Sequence, residues 1–373
     1  MLRRFFAAVW FLGLMLGFSP VIHARGARVN LISWSGSPAR STKTKERSLW
    51  PIVPCKTGAA IALGAYYFDN GMCAPGDPGA VSSYEARAGK MPAVWMIFQS
   101  WGGSWNRFPI SQARQARASG STLMVTWEPW AGWASDPKWN CQSIVGGRYD
   151  AYIRSYARSV RAANVPVMIR VGHEMNGKWY PWGTAYSGCF QRSNNNSPAM
   201  FCAMWKHIVS LFRQENALNA RWVWSPNIVF TDIWNDDRAQ QADLATLYPG
   251  DAWVDWIGLS VYNDGARRPW RSFRALFDSS YRLLTGLSNK PLMIAEMGVT
   301  EQGAPLGQTK ATWLEQALLN DIPQFYDRVR LVTYFCRNKS ATGESDYRFD
   351  SSPASLAAFR HVVNSPIYSG VVD

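Results

Sequence analysis

Short apolar runs recur along the chain at 61–68, 93–98, 122–126, 165–171, 220–224, 254–260, 291–295 and 329–335. Each is long enough for a strand and too short for most helices. Between them lie stretches with helical spacing at 84–88, 111–118, 149–163, 198–214, 240–247, 272–287, 308–319 and 353–363. The run 165–171 shows the pattern: Val165, Val167, Ile169 and Val171 alternate with Met168 and Arg170, and Pro166 stands at the strand's first residues, where a missing N–H costs least. Eight apolar strands alternating with eight helices predict a closed parallel (β/α)8 TIM barrel, built as a single domain with an N-terminal extended arm. The rival is a doubly wound open sheet, which usually carries a glycine-rich phosphate loop after its first strand. Here that place reads GAYYFDNG, without the pattern.

The ends of the chain refine this picture. Arg3 and Arg4 followed by the apolar run 5–18 and the small-residue site Ile22-His23-Ala24 predict a signal peptide over 1–24. The run falls short of the ~20 apolar residues a membrane span needs, although an uncleaved anchor is the competing reading. Residues 25–54 are basic and polar and predict an arm laid on the domain, leaving 55–366 for the barrel. Export to the periplasm or medium agrees with six cysteines, among which Cys55 with Cys73 and Cys189 with Cys202 are spaced to close short loops. No CxxC pair occurs and the four histidines are scattered, so neither a metal nor another cofactor is expected. The net charge of +13 attracts anionic polymers. No nucleic-acid motif accompanies it, and the expected partner is a polysaccharide bound by a monomer.

Chemistry concentrates where strands end, because in such a barrel those ends converge on one face. The strand 165–171 runs into His173, Glu174 and Asn176, then Trp179, Tyr180 and Trp182. The strand 291–295 ends at Glu296. Two carboxylates on one rim fit glycosidic cleavage, which needs one acid to protonate the leaving oxygen and one carboxylate at the anomeric carbon. The bland alternative is that each is a strand-end acid paired with an arginine such as Arg170. Twenty tryptophans fit sugar stacking, though some must fill core. Trp101, Trp127 and Trp130 are each candidate stacking platforms or packing under loops. Glu128 is either a third active-site carboxylate that bonds a sugar hydroxyl or a structural acid.

HEMNGKWYPWG (173–183), PLMIAEMG (291–298) and WVDWIGLSVYN (253–263) together resemble glycoside hydrolase family 26. That family comprises retaining barrel endoglycanases, mostly β-1,4-mannanases, with mixed-linkage β-glucanases and β-1,3-xylanases as minorities. The resemblance implies that Glu174 is the general acid/base and Glu296 the nucleophile. It also implies that His173 orients sugar and nucleophile, that Tyr262 bonds the nucleophile, and that Trp179 borders the cleaved bond. Asn176 joins the candidate sugar contacts. TWEPW (126–130) departs from the histidine-containing run more usual in mannanases and looks closer to the glucanase-type members. The last strand ends Tyr334-Phe335-Cys336-Arg337-Asn338, without the tryptophan that often floors a mannanase site. The expectation is a secreted retaining endo-β-glycanase acting on β-1,4-mannan. A β-glucanase or bacterial exopolysaccharide hydrolase is the alternative, and a non-catalytic carbohydrate-binding barrel comes after that.

Overall fold

A computed structural model describes residues 60–67, 78–132, 137–177, 179–184, 196–229, 243–368 and 372. The expected signal peptide, the arm and the 55–73 loop cysteines lie outside the described residues. The strands are β1 (Ala62–Tyr67), β2 (Val94–Ser100), β3 (Thr122–Glu128), β4 (Val167–Val171), β5 (Ala220–Trp224), β6 (Trp256–Asn263), β7 (Leu292–Val299) and β8 (Val329–Cys336). They pair in parallel in chain order, and β8 returns to β1, which closes the barrel.

The intervening helices are α1 (Pro78–Ala88), α2 (Ile110–Ala118), α3 (Cys141–Val145), α4 (Asp150–Ala163), α5 (Pro198–Gln214), α6 (Leu244–Leu247), α7 (Phe273–Leu287), α8 (Lys310–Glu315), α9 (Ile322–Phe325) and α10 (Pro353–Asn364). Their inner faces are written in the sequence: α4 buries Ile153, Tyr156, Ala157, Val160 and Ala163, a one-sided stripe at helical spacing. Ser197 caps α5 by accepting from the Met200 N–H, with Pro198 in the first turn, and Ser352 with Pro353 repeats the device at α10. No helix among the described residues is long and apolar enough to cross a membrane.

Alternation gives each strand two faces. One packs on the helices and the other fills the barrel, where Met96, Met124, Met168 and Met293 lie with smaller residues. The interior changes character along the strands. Met124 pairs with Met168, and one inward step further Thr126 pairs with Arg170. A polar floor therefore begins at the strand C-terminal face. Several expected boundaries shift. Helix α1 starts at Pro78 rather than 84, and beyond α8 the helix continues through a π-helical turn, Gln316–Asp321, into α9. Strands β6 and β7 run on to Asn263 and Val299, so Tyr262 and Glu296 sit within strands rather than beyond their ends. Cys141, Cys202 and Cys336 carry free thiols, and Cys189, the expected partner of Cys202, lies outside the described residues.

Candidate active site

A guanidinium inside a barrel must find partners, because an unpaired buried charge is very costly. Arg170, fully buried on the inward face of β4, donates Nη1 to Thr126 Oγ1 at 3.3 Å and Nη2 to Ser260 Oγ at 2.9 Å. Its Nη1 also forms an ion pair with Glu296 Oε1.

Glu296 reaches this partner through an irregularity. In β7 Met293 and Ala295 face the interior, whereas Leu292, Ile294 and Met297 face the helices. Strict alternation from Ala295 would turn Glu296 outward. The register passes from Leu259↔Ile294 to Ser260↔Glu296 on one side and from Ile294↔Val332 to Met297↔Tyr334 on the other. Strand β7 thus carries one extra residue, a bulge that re-aims Glu296 into the barrel mouth. Tyr262 arrives by ordinary alternation with Ser260 and donates its hydroxyl to Glu296 Oε2 at 2.5 Å. Burial first, and then the charge of Glu296, hold the Tyr262 phenol protonated. Its ring lies against Gly298, where a Cβ would come within 2.8 Å of two ring atoms.

Glu174 stands opposite on the turn after β4. Its φ of 53° lies in the left-handed region, which costs a non-glycine residue about 1–3 kcal/mol and persists only where surroundings fix it. The fixing is visible: Glu174 N–H donates to Ser225 O at 2.7 Å, Trp182 Nε1 to His173 O at 2.7 Å, and Thr184 N–H to Met175 O at 2.8 Å. Asn176 completes the clamp by exchanging two hydrogen bonds with the Asn227 backbone, at 2.9 and 2.8 Å. Glu174 Oε2 accepts from Trp179 Nε1 at 2.7 Å. Burial, and after it the Glu296 charge, raise the Glu174 carboxyl above its ordinary pKa against Arg170, Ser260 and Trp179. The mouth thus holds one carboxyl against a cation and one whose protonated form burial favours, the division that acid-assisted cleavage requires.

A third carboxyl faces the same space. Glu128, 7% exposed, ends β3 with Oε2 accepting from Trp130 Nε1 at 3.3 Å. Burial chiefly, with Glu296 adding, pushes it up to about 8 despite Trp130, Arg170 and Lys339. His173 is buried, and burial together with the Arg170 and Lys339 charges drives its pKa well down, so it is neutral. Its Nε2 lies 3.0 Å from Tyr180 Oη. Tyr180 stacks on Trp182 at 4.5 Å and 10°, and the Trp130 ring meets both edge-on.

Not every expected residue comes to this cleft. Glu174, Glu296, Tyr262, Glu128, Trp130 and Trp179 converge, with His173 directly behind Tyr180. Trp127 is fully buried, stacked on Tyr156 at 4.3 Å with Nε1 bonded to Tyr152 Oη. Trp101 packs against Trp127 at 4.6 Å. Both are core rather than stacking platforms, because strand alternation turns Trp127 to the helices when Glu128 faces inward. Asn176 is fully buried with its amide spent on Asn227 and is likewise a clamp rather than a sugar contact. Sequence reasoning missed Ser260, Thr126 and Tyr66. Tyr66 faces the same mouth, its pKa raised to about 12 by burial first, with Arg337 opposing through charge and a hydrogen bond. Their signal was strand phase: Ser260 stands two residues from Tyr262, and Thr126 two from Glu128.

The sequence profile of glycosyl hydrolase family 26 matches residues 142–301, which contain both Glu174 and Glu296. Endoglucanase H of Acetivibrio thermocellus is 33% identical over 292 residues, 77% of this chain. The chain belongs to glycosyl hydrolase family 26. A mannan endo-1,4-beta-mannosidase of Bacillus subtilis strain 168 is 28% identical over 161 residues, 42% of this chain. The chain spans 29% and 38% of the length of these two relatives. Among solved structures, the modular endo-beta-1,4-mannanase from Cellulomonas fimi matches with a TM-score of 0.60 at 20% identity, covering 84% of this chain and 73% of that one. The family 26 beta-mannanase from Bacteroides ovatus gives 0.57 at 18%, covering 84% and 91%. At such identities these two matches speak for the fold alone.

Proposed function

We propose that this family 26 chain is a retaining endo-β-glycanase in which Glu174 is the general acid/base and Glu296 the nucleophile. The observation that carries the reading is the contrast between the two carboxyls: Glu296 is held by Arg170 and Tyr262, and Glu174 is desolvated beside Trp179, a burial that favours its protonated form. Glu296 attacks the anomeric carbon while Glu174 gives its proton to the departing glycosidic oxygen, leaving a covalent glycosyl-enzyme. Glu174, now a base, then takes a proton from water as that water displaces Glu296. Trp179, bonded to Glu174 and 39% exposed, is positioned to border the sugar beyond the cleaved bond.

For the polymer, β-glucan is the first choice. The run TWEPW (126–130) departs from the histidine-containing run more usual in mannanases, and the relative named an endoglucanase aligns over most of the chain. Mannan is the second reading, favoured by the relatives named mannan endo-1,4-beta-mannosidases. The basic N-terminus with its short apolar run supports export to the periplasm or medium. The test is reducing-end release on lichenan, glucomannan, galactomannan, β-1,3-xylan and purified bacterial exopolysaccharides, with the anomeric configuration of the first product read by NMR. Retention on lichenan or glucomannan is expected; inversion, or no release from any polymer, rejects the reading.

A further inference from the structure

The most exposed indole among the described residues is outside the catalytic cluster. Trp105 is 71% exposed, against 39% for Trp179. It stands on the loop after β2, hence on the face where the strands end. Single exposed apolar side chains are ordinary and ask for no explanation. What asks for one here is the cost of the scaffold beneath it.

Gln99, 7% exposed, spends both amide hydrogens on this loop, donating Nε2 to Trp105 O at 2.5 Å and to Arg107 O at 2.8 Å. Its Oε1 accepts from Tyr156 Oη at 2.5 Å. Asn106 Nδ2 donates to Trp101 O at 3.0 Å, and Tyr152 Oη donates to Asn106 O at 2.8 Å. The loop base is tied to the neighbouring strand-end segment, Trp101 N–H to Glu128 O and Gly102 N–H to Trp130 O, each at 2.9 Å. Buried polar groups are thus committed on both sides of a residue that adds nothing to the core. Fixing a ring before a ligand arrives lowers the ordering cost of binding.

The position says which ligand. Trp179, Trp130 and Trp105 stand on the loops after β4, β3 and β2, so exposed or half-buried indoles follow three consecutive strands outward from Glu174. Gly102, Gly103 and Ser104, which precede Trp105, are themselves exposed and small. A lone flat ring on the cleft's flank suits the apolar face of a pyranose in a long chain; a protein partner would ask for a contiguous apolar patch. We propose that Trp105 is a distal glycan-stacking platform that grips the polymer several sugars from the cleaved bond.

The proposal rests on the hydrolase reading for its ligand class, and the test separates the two. Wild type, Trp105→Ala and Trp105→Phe are compared on lichenan, on glucomannan and on aryl β-cellobioside and β-mannobioside. Loss of uniform binding raises KM and leaves kcat alone. Trp105→Ala should raise KM on the cleaved polymer about five- to tenfold with kcat unchanged, should leave the aryl disaccharide unaffected, and should be largely rescued by Trp105→Phe. An unchanged polymer KM, or equal loss on polymer and disaccharide, overturns the platform. If no substrate is cleaved, the hydrolase reading fails by itself, and electrophoretic retardation in gels containing the same two polymers decides the platform. Wild type retarded more than Trp105→Ala supports it, and equal migration in both gels overturns it.

Discussion

Three glutamates share one barrel mouth with one fully buried arginine, and their surroundings decide what each can do. Glu296 takes the cation and the phenol, and Glu174 and Glu128 are left to burial. A kinetic separation follows. Glu296→Ala should abolish turnover on every substrate. Glu174→Ala should lose about 10²–10⁴-fold on polymer but keep the first step on aryl glycosides whose leaving groups need no proton. Added azide should then speed deglycosylation in Glu174→Ala, giving a glycosyl azide. Equal losses on both substrates with no azide effect would reverse or remove the roles. Glu128 predicts a stability effect instead. Its folded pKa of about 8 exceeds the unfolded value of 4.5, so the folded protein holds the extra proton between them. The contribution is fully present below pH 4.5 and is lost as pH rises through 8. Glu128→Gln, which cannot ionise, should melt close to wild type at pH 5 and above it at pH 9, by an amount on the order of a few kcal/mol. Parallel melting curves at both pH values would show that Glu128 does not titrate in this window.

At the level of the elements, the legible and the illegible divide cleanly by mechanism. Strand alternation and helical stripes are local, so the eight strands, their order and the long helices could be read directly. The partnership of Glu296 with an arginine such as Arg170 was also readable, since Arg170 sits in phase with Met168 inside a strand. The bulge in β7 was not. The simple pattern Met293, Ala295 inward puts Glu296 on the wrong face, and nothing in LMIAEMGV marks the extra residue. Trp101 and Trp127 were open to correction from the sequence alone, because their phase opposes that of Ser100 and Glu128. Trp105 lies in a loop, where no period assigns a face. Gly298 shows how an element's geometry serves the site: the close approach of Tyr262 to β7 is possible only without a Cβ there. Gly298→Ala should displace the phenol from Glu296 and lower kcat/KM on the order of tenfold, as small misplacements at a reacting centre do. In a Tyr262→Phe background the same change should cost little more, because both act through one hydrogen bond. Additive losses in that double-mutant cycle would mean that Gly298 matters for another reason.

On the scale of the whole molecule, charge is the property that local structure does not explain. The chain carries 39 basic against 26 acidic residues, and the surplus is not confined to remote surfaces. The charge of Lys339 reaches both His173 and Glu128, and Arg337 bonds Tyr66, so part of it overlooks the cleft from the β8 side. Trp105 is followed closely by the exposed Arg107 on the loop after β2. A carboxylated chain lying in this cleft would meet cations from the loops after β8 and β2, and a neutral chain would meet only the hydrogen-bonding and stacking groups. Attraction between exposed charges is screened over about 8–10 Å at ordinary ionic strength. KM for a carboxymethylated β-glucan should therefore climb several-fold as sodium chloride rises from about 20 mM to about 500 mM, while KM for the unmodified polymer stays level. The comparison uses one backbone in two charge states, so a difference in slope reports charge alone. A flat response on both polymers would mean that the basic surplus serves solubility or the cell surface and does not reach the substrate.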